Sequence, residues 1–219
     1  MVLKEKINLT EETIMTIAFF DVDNQYDFID RDGRLAVPNA EEIVPNLFAL
    51  TLTAQEKGIP IFGTVDNHPT NDKEFETYPP HCVTDTEGQR KIVETLLDET
   101  MFVPNEPGAL TDEELKETLE IQQVILEKQT YDIWDIDDGQ PVNLNRLLGE
   151  KHVDTVVVYG VAGDICVNAA VEGFIARNYN VYVVEDAIQF LTTGEDEVKM
   201  KNKWNDLGVK FINTNLLTL

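Results

Sequence analysis

Along this chain, short apolar runs alternate with longer stretches in which apolar and polar positions mix. Six such runs, at 17–22, 59–65, 124–126, 156–159, 181–184 and 209–212, are rich in Val, Ile and Phe and mostly lack strict alternation. That is the pattern of strands buried on both faces of a parallel sheet. Helices are predicted between them. One covers about 40–57, with Asn39 as candidate N-cap, Pro45 in its first turn and Gly58 as its stop. Another starts at Thr111, where Thr111-Asp112-Glu113-Glu114 reads as a capping box. Further helices are expected over 143–148, 165–177 and 194–207, the last followed by Gly208 at C′. The alternation predicts one α/β domain over 1–219, a doubly wound parallel sheet of six strands with helices on both faces. Two stretches break the rhythm, 66–108 and 131–141. Sites in this fold class lie at the carboxyl ends of strands, where such loops sit.

Charge narrows the function classes. The 219 residues carry 17 basic and 41 acidic side chains, a net charge of −24. Such a field repels nucleic-acid backbones and anionic membranes, so neither is expected as a partner. No apolar run approaches the roughly 20 residues that span a bilayer. The first 16 residues hold no signal-peptide core, which makes a cytoplasmic location the expectation. Two cysteines in a chain of this size do not suggest a disulfide framework.

The chemistry-bearing residues fall where the predicted strands end: Asp23, then Asp66 with His68, then Lys128, then Cys166. Asp21-Val22-Asp23 after an apolar strand resembles a phosphatase motif but carries Gln25 where Thr or Val belongs. A calcium loop is excluded because Tyr26 stands where the sharp turn needs Gly. Asp66, His68, Glu74 and His81 share one long loop region. Two imidazoles and two carboxylates suit a divalent transition metal such as zinc, iron or manganese. Cys166 follows the small residues Gly160-Val161-Ala162-Gly163 and opens a helix. A helix N-terminus lowers a thiol pKa and offers backbone N–H groups to an oxyanion. The incomplete glycine pattern gives no support for a nucleotide cofactor.

Taken together, these segments resemble the isochorismatase-like cysteine hydrolases, and within them the nicotinamidase/pyrazinamidase branch. Val22-Asp23-Asn24-Gln25-Tyr26-Asp27-Phe28 is similar to the Asp-x-Gln-x-Asp-Phe opening, and 160–167 is similar to the nucleophile loop. The resemblance implies a six-stranded parallel sheet in Rossmann-like order and homo-oligomers. It implies Cys166 as nucleophile, Asp23 as acid/base, Lys128 as the cation between them, and the N–H groups of Ala162 and Cys166 as the oxyanion hole. It also implies a cis Val161-Ala162 peptide, one divalent metal on Asp66, His68, Glu74 and His81, and Phe28, Tyr78 and Trp134 around the substrate ring. The substrate it implies is a small amide, nicotinamide foremost. A carbamoyl or ureido amidase is the alternative, with an Asp-dependent phosphatase and a non-catalytic binding module behind it. Glu74 stands where many members carry a third His, Gly163 where Thr is commoner, and Tyr78 where Trp is commoner.

Overall fold

The computed structural model describes residues 7–8, 16–135 and 143–218. Residues 136–142, which include the second half of the irregular stretch expected over 131–141, lie outside that description. Nine strands are described. β1 (Ile7–Asn8) and β9 (Leu217–Thr218) form a small parallel pair. The other seven are β2 (Ile17–Val22), β3 (Ile61–Asp66), β4 (Thr100–Pro104), β5 (Gln123–Lys128), β6 (Thr155–Gly160), β7 (Asn180–Ile188) and β8 (Lys210–Ile212). They make one sheet in the order β4-β5-β3-β2-β6-β7-β8, every pairing parallel.

The sheet therefore has seven strands rather than six. The added strand, β4, is an edge strand inside the stretch that reads as irregular. It pairs on one side only, and of its five residues only Val103 is buried. Only one of its faces is covered, by Met101 and Val103, while Phe102 on the other is largely exposed, so its short apolar run is not buried on both faces like those of the central strands.

The helices are α1 (Tyr26–Ile29), α2 (Val44–Lys57), α3 (Asp112–Glu120), α4 (Asn143–Glu150), α5 (Cys166–Ala176) and α6 (Glu195–Asp206). Strand side chains alternate between faces, and β2 divides accordingly. Ala18, Phe20 and Val22 join the layer under α3 to α6, with Leu144, Leu147, Phe174 and Trp204. Ile17 and Phe19 join the opposite layer, with Leu47, Leu50 and Ala54 of α2. Each Val, Leu, Ile or Phe among them contributes about 1.5–3 kcal/mol by leaving water.

Helix ends follow the predicted chemistry with one exception. Thr111 and Glu114 form the reciprocal capping box of α3. Gly58 closes α2 in the left-handed region at φ 65, and Gly208 does the same after α6 at φ 89. Asn39 does not cap: it adopts φ 60 with no side-chain cap bond, and a 3-10 turn, Ala40–Ile43, comes before α2. Pro45 sits in the first turn of α2 proper, where its missing N–H costs nothing.

The chain builds β3, β4 and β5 on one side of β2 and β6, β7 and β8 on the other, so the order reverses beside β2. The crevice outside the strand ends at such a reversal is where this architecture places ligands. Gly160 lets the backbones close there, since a Cβ at its φ of 117 would stand 2.1 Å from the Val22 carbonyl. Among the described residues, no helix is long and apolar enough to cross a membrane.

Candidate active site

Four strands deliver four reactive side chains to this crevice. Asp23 follows β2 directly and turns inward at φ 48. Its N–H donates to the Thr64 carbonyl at 3.1 Å, and its Oδ1 accepts from the Thr64 hydroxyl at 2.6 Å. Asp66 and Lys128 are the last residues of β3 and β5, and the strand register places them side by side. Lys128 Nζ lies 2.9 Å from Asp23 Oδ2, contacts Asp66 Oδ1, and stands 3.8 Å from Cys166 Sγ. Cys166 opens α5. The structure thus brings Asp23, Lys128 and Cys166 together, and the Val161-Ala162 peptide is cis.

Burial and neighbouring charge pull against each other in this cluster. It pushes the Cys166 thiol well up, and nearby Lys128 offsets that only in part. Burial also raises the Asp23 carboxyl, again against the pull of Lys128. Lys128 is opposite: burial alone would strip its proton, but Asp23, Asp66 and Cys166 surround the ammonium and hold its pKa well above the ordinary value. Burial works against ionised Asp66 too, yet Lys128 and His68 pull it below its ordinary value.

Asp66 joins this cluster to a second one. Its Oδ2 lies 3.7 Å from His68 Nε2 and 3.8 Å from His81 Nε2, and ligand atoms of the three residues all lie within 4.8 Å of one another. His68 Nε2 is buried with no hydrogen-bond partner. An orphaned imidazole nitrogen facing a carboxylate and a second imidazole fits a divalent cation. Glu74 stands at the edge of this set, with Oε1 3.9 Å from His81 Nε2 and its side chain 20% exposed.

Two residues of the Asp-x-Gln-x-Asp-Phe segment, to which the sequence assigns no role, build this arrangement. Gln25 is buried and clamps Asp66 from both ends. Its Oε1 accepts the Asp66 N–H at 2.7 Å, and its Nε2 donates to the Asp66 carbonyl at 2.8 Å. Asp27 accepts the Cys82 N–H at 2.7 Å, which fixes the backbone next to His81. Gly88 is tied to this contact, because a Cβ there would stand 2.2 Å from the Asp27 carboxylate. The spacing Asp23-x-Gln25-x-Asp27 is the available signal, yet after a strand such residues also read as ordinary turn formers.

Cys166 opens on a small apolar pocket. Phe28, Leu35, Val37, Tyr78, Tyr131, Ile165 and Leu191 line it, with Asp66, Glu74 and His81 at its polar end. Phe28 and Tyr78 belong to this lining, with ring centroids 5.4 and 6.5 Å from that of His81. Trp134 does not. It packs on the outer side of α5, edge-on to Phe174 and under the Arg177 guanidinium at 3.9 Å, and Tyr131 occupies the pocket wall instead. Gly173 permits this packing, since a Cβ there would meet the Trp134 indole nitrogen at 1.8 Å. A separate hollow of about 580 Å³, lined in part by Arg90, Phe102 and Glu127, holds none of the reactive residues.

The isochorismatase domain family matches residues 18–215. The chain belongs to the isochorismatase family of hydrolases. It is 28% identical over 196 residues to the nicotinamidase of Saccharomyces cerevisiae, covering 75% of this chain and 84% of the yeast protein. It is also similar to the pyrazinamidase of Pyrococcus horikoshii solved in complex with zinc, with a TM-score of 0.71 and 26% identity over 90% of this chain and 98% of that one. N-carbamoylsarcosine amidase from Thermoplasma acidophilum shares the fold, with a TM-score of 0.71 and 24% identity over 91% of this chain and 97% of that one.

Proposed function

We propose that this chain is a cysteine amidohydrolase that converts nicotinamide to nicotinic acid and ammonia. One juxtaposition carries the reading: the Lys128 ammonium, 2.9 Å from Asp23 and 3.8 Å from Cys166, also touches Asp66. A nucleophile, a proton acceptor and a buried cation therefore share one cluster at the floor of an apolar pocket. The names of the yeast and archaeal relatives support the same chemistry.

Asp23 takes the thiol proton from Cys166 as sulfur attacks the amide carbonyl carbon. Its raised pKa makes it a stronger base than an ordinary carboxylate. The carbonyl electron pair moves onto oxygen, which the Ala162 and Cys166 N–H groups receive. Four neighbouring amides of the loop are engaged elsewhere, which supports this assignment. Val161 donates to the Val22 carbonyl, Gly163 to Gln189, and both Ile165 and Val167 to Ala162. The oxyanion collapses, Asp23 passes its proton to the nitrogen, the C–N bond breaks, and ammonia leaves a thioester on Cys166. Asp23 then accepts a proton from water as its oxygen attacks the same carbon. The C–S bond breaks, sulfur regains a proton, and the acid is released. Lys128 keeps its charge throughout and holds both the thiolate and the carboxylate.

Asp66, His68 and His81, with Glu74 beside them, would hold one divalent ion; zinc suits this donor set best, with iron and manganese as alternatives. When bound, it supplies a Lewis-acid contact for a lone-pair nitrogen on the substrate ring. Phe28, Tyr78 and Tyr131 form walls for a flat ring. A carbamoyl amino acid fits less well, because no Arg or Lys lines the described pocket to meet its carboxylate. The phosphatase reading loses its second carboxylate. Asp21 is buried, bound to Lys91 at 2.7 Å and to Asn24 at 2.6 Å.

An ammonia-release assay on nicotinamide, pyrazinamide, benzamide and a carbamoyl amino acid tests the assignment. Nicotinamide and pyrazinamide are expected to be turned over faster than benzamide, which has no ring nitrogen. Turnover of the carbamoyl compound without turnover of nicotinamide refutes it.

A further inference from the structure

A neutral imidazole has one N–H and one lone pair, so a ring offers Nε2 to a cation only if Nδ1 carries the proton. His81 meets this condition through a neutral acceptor, with Nδ1 2.9 Å from the Pro79 carbonyl. His68 meets it through a charged one, with Nδ1 3.1 Å from Asp72 Oδ2. The other oxygen of the same carboxylate, Oδ1, accepts the Glu74 N–H at 2.8 Å. Asp72 therefore grips the ring of one candidate ligand and the backbone of another. Its side chain is 12% exposed, so little water competes for either bond.

We propose that Asp72 is a positioning residue for the divalent cation, acting through His68. It holds the proton on Nδ1, turns the buried Nε2 lone pair toward Asp66, and ties the turn that carries Glu74 to the same ring. This rests on the reading of Asp66, His68 and His81 as cation ligands. An acceptor carboxylate behind a ligating histidine also strengthens the ring as a donor, and removing such a partner typically weakens metal binding about 10- to 100-fold. The competing explanation is that Asp72 only caps the four-residue turn, Lys73–Glu76.

Substitutions separate the two roles. Asp72→Ser keeps a capping oxygen for the Glu74 N–H but has no second oxygen for His68. Asp72→Asn keeps one acceptor oxygen for two donors. Glu76→Gln removes a charge from an exposed position on the same turn and touches neither ring. The full-length proteins, with folding checked by circular dichroism, are stripped with a chelator and titrated with zinc against a chromophoric competitor. Cobalt(II) absorption then reports the ligand geometry. The wild type is expected to bind one zinc. Asp72→Ser and Asp72→Asn are expected to bind it about 10- to 100-fold more weakly and to shift the cobalt bands. Glu76→Gln is expected to stay within about threefold, as a screened surface charge does. Wild-type affinity in Asp72→Ser overturns the proposal in favour of a cap. Equal weakening in Glu76→Gln overturns it in favour of bulk charge. A wild type that binds no zinc removes the cation reading itself and the proposal with it.

Discussion

Replacing Lys128 with Met tests the electrostatic centre of the site. Methionine matches the length and apolar bulk of the lysine stem but leaves Asp23 and Asp66 facing each other without a cation. The Lys128 side chain is 2% exposed and the two carboxylates are buried, so water does not rescue them. Removing one partner from a buried charge cluster costs about 3–5 kcal/mol, a large share of the roughly 5–15 kcal/mol that holds a domain together. The loss also has a definite pH dependence. Burial pushes both carboxyls up, and Lys128 is a principal opposing charge for each. Without it, their folded pKa values rise above the unfolded ones. A group raised in this way takes up protons on folding, so stability falls as pH rises through the window between the two values. The deficit of Lys128→Met is therefore largest near pH 8 and shrinks toward about pH 5, by up to about 1.4 kcal/mol per carboxyl for each pH unit inside that window. Urea unfolding followed by circular dichroism across this range, with chelator present so that no metal replaces the lysine, measures it. A deficit below about 1 kcal/mol, or one that does not change with pH, refutes the reasoning.

The remaining predictions concern the other parts of the site. Cys166→Ala is expected to cut steady-state ammonia release by at least about 1,000-fold. Cys82→Ala costs far less, because burial pushes the Cys82 thiol up and it does not line the pocket. Asp23 must be ionised to accept the thiol proton, and burial raises its pKa. A pH–rate profile of kcat/KM should therefore lose activity as pH falls through a value above the ordinary aspartate pKa of about 3.9, and an acid limb at or below that value contradicts the role. Gly173→Ala forces a methyl into the Trp134 indole. In urea unfolding it should cost about 1–3 kcal/mol, while KM stays unchanged because Trp134 lies outside the pocket.

The strands that carry the reactive residues were legible because they are buried on both faces and so read as continuous apolar runs. Asp23, Asp66 and Lys128 were legible for a related reason: each closes such a strand, where a polar residue stands out, and Cys166 opens the helix after another. β4 was not, because an edge strand such as Thr100–Pro104 needs no apolar face. Gln25 and Asp27 work through backbone groups more than 40 residues away in sequence, so the Asp-x-Gln-x-Asp-Phe spacing marks them without revealing what they hold. Trp134 lies within the irregular stretch 131–141, where the pattern does not say which way a side chain turns, and the absence of a side chain at Gly173 makes room for it on α5. Leu35, Val37 and Leu191 line the pocket without a chemical signature, so only the folded structure reveals them.

The most direct test of the account is to identify the covalent intermediate. Turnover of nicotinamide is quenched with acid, and the protein is digested and mapped by mass spectrometry. The account predicts a hydroxylamine-sensitive nicotinoyl thioester on the peptide containing Cys166, absent from Cys166→Ala and retained in Cys82→Ala. An acyl group on any other residue, or sustained turnover by Cys166→Ala, contradicts it.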